Sequence, residues 1–129
     1  MGATYIAILG NFCDKEIKAE NLEDKNDETC AKMSLDTATN LSFPWATSEA
    51  AYNSGKKLTI SVRDGDGWRV VYWMWENNNT IYICAADNWS KGEKVAGANT
   101  NNGYWKALQF TSASNGGYSI KLVDIKVDK

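Results

Sequence analysis

Two short stretches carry most of the side chains able to do chemistry: Asp87-Asn88-Trp89-Ser90-Lys91-Gly92 and Asn99-Thr100-Asn101-Asn102-Gly103-Tyr104-Trp105. Each sets flat aromatic rings beside short carboxylate and amide groups. An indole face suits the apolar side of a sugar ring, and fixed Asp and Asn groups can tell its hydroxyls apart. The expected ligand-binding residues are therefore Asp87, Asn88, Trp89, Asn101, Asn102, Tyr104 and Trp105. The competing reading is that Asn and Gly only make turns here, while Trp89 and Trp105 cover the edge of a core.

Catalysis finds little support. The 129 residues contain no His, which excludes Ser-His-Asp and Cys-His mechanisms and His-based metal sites. Glycoside hydrolysis needs two carboxyls across a cleft. Asp64, Asp66, Glu76 and Asp87 lie near Trp-rich segments, but their spacing selects no pair. No enzyme activity, catalytic residue or cofactor is expected. Asp64-Gly65-Asp66-Gly67 places oxygen ligands two residues apart, as a calcium loop does. It lacks the third Asp/Asn and the distal Glu of an EF-hand, so it reads as a hairpin turn and no metal is expected. Cys13, Cys30 and Cys84 are an odd set without CxxC spacing, read as buried reduced thiols, with one Cys13–Cys30 bridge as the alternative.

Composition narrows the class. Six Trp and abundant Asn and Gly suit a recognition domain. The net charge of −2 and the lack of any Lys/Arg block disfavour a nucleic-acid partner. No run approaches the roughly 20 apolar residues of a membrane span. The start, Met1 to Gly10, lacks the basic flank of a secretory signal and reads as a first strand. The expected location is cytoplasmic or non-classically secreted. Three Asn-X-Ser/Thr sequons, at Asn40, Asn78 and Asn88, then reflect only richness in Asn and Thr.

The elements that must position these residues are strands. Thr4 to Phe12 is apolar and β-branched enough for a buried strand. Leu58, Ile60 and Val62 alternate with Thr59, Ser61 and Arg63. Trp68 to Trp75 follows the Asp-Gly turn, with Val70, Tyr72 and Met74 on one face and Arg69, Val71, Trp73 and Trp75 on the other. Both faces are apolar, which suits a central strand. Asn77-Asn78-Asn79 is a turn, because Asn tolerates the left-handed conformation. Thr80–Ala85, Tyr104–Thr111 and Tyr118–Val127 complete the set. The apolar face switches between Leu122 and Val123, where a β-bulge is expected. Asp14 to Glu28, with seven acidic and three basic residues, fits an edge strand, a short helix or a loop equally. The expectation is an all-β chain, one antiparallel β-sandwich domain over 1–129, with a closed barrel or trefoil as the alternative.

The size, the strand spacing and the aromatic run Tyr72-Trp73-Met74-Trp75 leading to Asp87-Asn88-Trp89 resemble small Trp-rich β-sandwich proteins. These are the aegerolysin and actinoporin-type cytolysins and the fungal fruit-body lectins. The Trp-Asp-Cys-Pro-Trp run associated with aegerolysins has no match after Tyr72, and no functional residue is carried over. Three functions compete. The first is lectin-like binding of glycans or glycoproteins through the residues named above; it implies a homo-oligomer, because single sugar sites are weak. The second is a membrane-lipid-binding cytolysin using the Trp73/Trp75 face. The third is a protein-binding inhibitory module using the same aromatic patch.

Overall fold

The structure, a computed structural model, describes residues 5–12, 15–23, 28–32, 35–78, 80–94, 105–112 and 117–125. Two sheets form a β-sandwich. The first has the order β4-β1-β10-β9, built from β1 (Tyr5–Phe12), β4 (Leu35–Ser42), β9 (Trp105–Ser112) and β10 (Gly117–Ile125). The second has the order β3-β2-β5-β6-β7-β8. Its strands are β2 (Ile17–Asn21), β3 (Glu28–Ala31), β5 (Leu58–Asp64), β6 (Gly67–Asn77), β7 (Thr80–Cys84) and β8 (Glu93–Lys94). Every pairing between these strands is antiparallel except that of β1 with β10, which is parallel; an isolated parallel bridge joins Trp45 to Glu76.

The core lies between the sheets. Ile6, Leu9 and Leu41 of the first sheet meet Ile17, Ala19, Leu58, Ile60, Val62, Tyr72, Met74, Ile81 and Ile83 of the second. Period-two alternation accounts for most of these, since every second side chain of a strand shares a face. At one side the sheets are joined where the hydroxyls of Thr29 on β3 and Thr39 on β4 hydrogen-bond at 2.5 Å.

The charged stretch after Asp14 resolves into β2, an interior strand between β3 and β5. Ile17, Ala19 and Asn21 point inward, while Lys18 and Glu20 point outward. The β5–β6 hairpin closes on Asp64 paired with Gly67. Its first turn residue, Gly65, has φ +62°, which a side chain would strain. Asn78, at φ +54°, gives the β6–β7 turn its left-handed residue, as the sequence suggests.

Two register expectations need correction. The pairing of β10 runs through Leu122 and Val123 without a shift; the irregularity lies in β1, between Ile6 and Ile8. A second shift falls in β6, where Ile60 pairs with Tyr72 but Ser61 pairs with Val70. Val71 is the extra residue, so it turns inward and joins Tyr72 and Met74 in the core. Val70 consequently lies on the outer face, away from Tyr72 and Met74, with which the alternation had grouped it.

Cys30 and Cys84 are free thiols, the first exposed and the second buried; Cys13 lies outside the described residues. Burial of both thiols is therefore wrong for Cys30. Among the described residues, no group of three His, Cys, Asp or Glu side chains is placed to hold a metal ion.

Candidate functional site

A second, smaller core sits on the outer face of the six-stranded sheet. Beyond the bulge, Trp73 and Trp75 of β6 face outward beside Cys84 and Tyr82 of β7. Two irregular segments cover them. One is the short helix α1 (Glu49–Asn53), started by Ser48, whose Oγ accepts the Ala51 N–H at 3.1 Å. The other is the 3₁₀ turn Trp89–Lys91. Ala46, Tyr52, Trp75 and Cys84 are buried there, with Trp73, Tyr82 and Trp89 half-buried around them.

Trp75 organises the cluster. Its indole stacks on Tyr82 at 6.0 Å and on Trp89 at 5.5 Å, and Tyr52 meets it edge-on at 4.9 Å. These separations fall within the range in which aromatic pairs attract beyond simple burial. Trp75 is 1% exposed. The Trp73/Trp75 face is thus no open aromatic belt: one ring lies under other rings and the second is half-covered.

The loop after β7 holds three of the expected ligand residues in fixed positions. Asp87 Oδ1 accepts a hydrogen bond from the Tyr52 hydroxyl and an ion pair from Lys57 Nζ at 3.2 Å. The same ammonium lies 4.3 Å above the Tyr52 ring. The Asp87 side chain stays 51% exposed, and a carboxylate retains lone pairs for further donors. Asn88 caps the 3₁₀ turn, its Oδ1 accepting Ser90 N–H at 3.0 Å and Ser90 Oγ–H at 2.8 Å. These bonds use the amide oxygen and leave the two amide N–H groups for another partner. Trp89 rests on Trp75 and leans toward Tyr52 at 6.2 Å, only half-buried.

Asn101, Asn102 and Tyr104 lie outside the described residues. Trp105 opens β9 opposite Ile125 in the four-stranded sheet, whereas Trp89 starts the turn between β7 and β8 of the six-stranded one. The described residues therefore assemble Asp87, Asn88 and Trp89 into one cluster.

Sequence reasoning missed Tyr52 and Lys57. Ser48-Glu49-Ala50-Ala51, with Gly55 beyond, is a helix start and stop that could have revealed α1 and with it Tyr52. Trp45 was also passed over. It is 48% exposed, while its backbone neighbours are pinned: Glu76 N–H bonds Pro44 O, and Ala46 N–H bonds Glu76 O, both at 2.9 Å.

Burial, then the hydrogen bond to Asp87 and that group's negative charge, push the Tyr52 phenol well above its ordinary value of 10.0. The unfolded chain releases this proton near pH 10 while the folded chain keeps it. The stability it contributes is therefore intact below pH 10 and declines as pH rises further. Thermal melts from pH 8 to 11.5 should show a steeper alkaline decline in the wild type than in Tyr52→Phe. At neutral pH Tyr52→Phe should be less stable by about 1.5–3 kcal/mol, the usual worth of a hydrogen bond to a charged group. Parallel alkaline limbs would separate Tyr52 from this behaviour.

No protein-family model matches the chain, and no curated protein sequence or solved structure matches it either.

Proposed function

We propose that this chain is a non-enzymatic carbohydrate-binding protein of lectin type, with its site on the loop after β7. One observation supports this reading most: Trp89 is a half-exposed ring immobilised on Trp75, flanked by an exposed carboxylate and amide that are themselves pinned. A sugar site needs a flat apolar platform and polar groups at fixed angles, with little motion left to freeze on binding. Trp89 supplies the platform. Asp87 accepts from sugar hydroxyls, and the Asn88 amide donates to them. The chain acts as a homo-oligomer whose repeated weak sites give avidity for glycans or glycoproteins.

A glycan array probed with the purified chain, with and without EDTA, tests this. Selective binding to a subset of glycans, unchanged by EDTA, is the expected result. A blank array alongside dye leakage from liposomes would replace this reading with the lipid-binding one.

A further inference from the structure

Asp87 is the charged member of the Asp87-Asn88-Trp89 cluster, and both of its contacts converge on one atom. Oδ1 accepts the Tyr52 hydroxyl proton and lies 3.2 Å from Lys57 Nζ. Among the described residues the other oxygen, Oδ2, has no hydrogen-bond partner, and the side chain is half exposed. The two donors are themselves held. Tyr52 is buried on α1 and meets Trp75 edge-on. The Lys57 side chain is largely covered, with its ammonium over the Tyr52 ring. Its backbone is pinned on both sides: Lys57 N–H bonds Gly55 O, and Lys57 O accepts the Leu22 N–H, both at 2.9 Å.

We infer that Tyr52 and Lys57 are positioning residues of the glycan site: they hold Asp87 by one oxygen so that the other receives a hydroxyl proton from a neutral sugar. The inference rests on the carbohydrate reading and names the polar contact within it. A carboxylate paired with an ammonium only accepts hydrogen bonds. With Oδ1 already taken, a ligand must bring a donor to Oδ2. A sugar hydroxyl does so; a sugar carboxylate or sulfate has no proton to give and meets like charge there. An unheld aspartate on an exposed loop would turn among its staggered rotamers, and binding would have to freeze it. The Tyr52 and Lys57 contacts freeze it beforehand. The covered side chain of Lys57 makes its ion pair less screened than one open to water.

The first arm of the test needs no ligand. Nuclear magnetic resonance couplings of the Asp87 β-protons should report a single χ1 rotamer in the wild type and averaging in Lys57→Met and Tyr52→Phe. Lys57→Arg, which keeps the cation and its donors, should restore the single rotamer. The second arm is calorimetry of the full chain with methyl β-galactoside, methyl α-mannoside, methyl N-acetyl-β-glucosaminide and glucuronate. The wild type should bind one of the neutral glycosides about tenfold or more tighter than glucuronate. Lys57→Met and Tyr52→Phe, shown to be folded by circular dichroism, should each weaken that glycoside by about three- to tenfold; Lys57→Arg should bind close to the wild type. A single Asp87 rotamer that persists in both variants would overturn the positioning role, whatever a glycan array shows. So would an averaged rotamer with unchanged glycoside affinity, while loss of that affinity in Trp89→Ala would still uphold the carbohydrate reading. Glucuronate bound as tightly as the neutral glycosides, or none of the three neutral glycosides bound, would overturn the contact assigned to Oδ2.

Discussion

Replacing Trp75 with Ala is expected to cost about 3–5 kcal/mol, the usual range for removing a buried aromatic. Trp75 is buried on a face that would ordinarily meet water, under Tyr52, Tyr82 and Trp89. Its removal leaves those three rings without the surface they pack on, and α1 and the 3₁₀ turn without a common anchor. Equilibrium denaturation followed by near-ultraviolet circular dichroism should show a lower midpoint and a loss of aromatic signal. The inner core, with Ile60, Tyr72 and Met74, is untouched, so the sheet signal in the far ultraviolet should survive at low denaturant. A loss below about 1 kcal/mol would mean that the outer cluster contributes little and leaves the Trp89 loop unsupported.

The second large effect is expected at Gly92. A Cβ built there would overlap the six-membered ring of Trp75, at Cζ2 and Cη2. The Gly92 backbone is extended, with φ −65° and ψ 143°, so the need for glycine is one of space and not of dihedral angle. The ring cannot retreat, because Tyr82 and Trp89 stack on it. Gly92→Ala should therefore destabilise by about 3 kcal/mol, the upper end for overpacking a well-filled site. A shift of that size should come with weaker glycan binding, since the loop that carries Asp87, Asn88 and Trp89 must lift. Combining Gly92→Ala with Trp75→Phe should recover part of the loss, because the smaller ring makes room; additive costs would show that the two positions act separately.

The strands that alternate plainly were legible from residue order. Leu58, Ile60 and Val62 all point inward, and the turns at Gly65 and Asn78 carry the positive φ values their residue types favour. Alternation fails as a guide wherever one residue is added. Reading period two straight through β6 puts Val71 on the wrong face, because the bulge that turns it inward depends on how β5 pairs alongside. Residue order also hides β2, whose inward row of Ile17, Ala19 and Asn21 holds a single large apolar side chain among many charges. The parallel pairing of β1 with β10 joins opposite ends of the chain, and no local pattern encodes it.

The same limit applies to the sites. Asp87, Asn88 and Trp89 are consecutive, so their types alone suggested a polar aromatic loop. Their support comes from Tyr52, Lys57 and Trp75, which are distant in sequence and meet the loop only in the folded sheet. Lys18 and Arg63 are likewise far apart in sequence and both lie over the Trp68 ring only in the folded sheet.

The central claim is that Trp89 is the platform for the glycan, and its most direct test is the affinity of Trp89→Ala for the strongest array ligand. Trp45→Ala serves as the control, since that ring is exposed and lies outside the proposed site. Trp89→Ala, shown to be folded by its circular dichroism, should lose about 2 kcal/mol or more of binding energy, roughly 30-fold in Kd; Trp45→Ala should bind as the wild type does. Unchanged affinity in Trp89→Ala, or a loss confined to Trp45→Ala, would contradict the account.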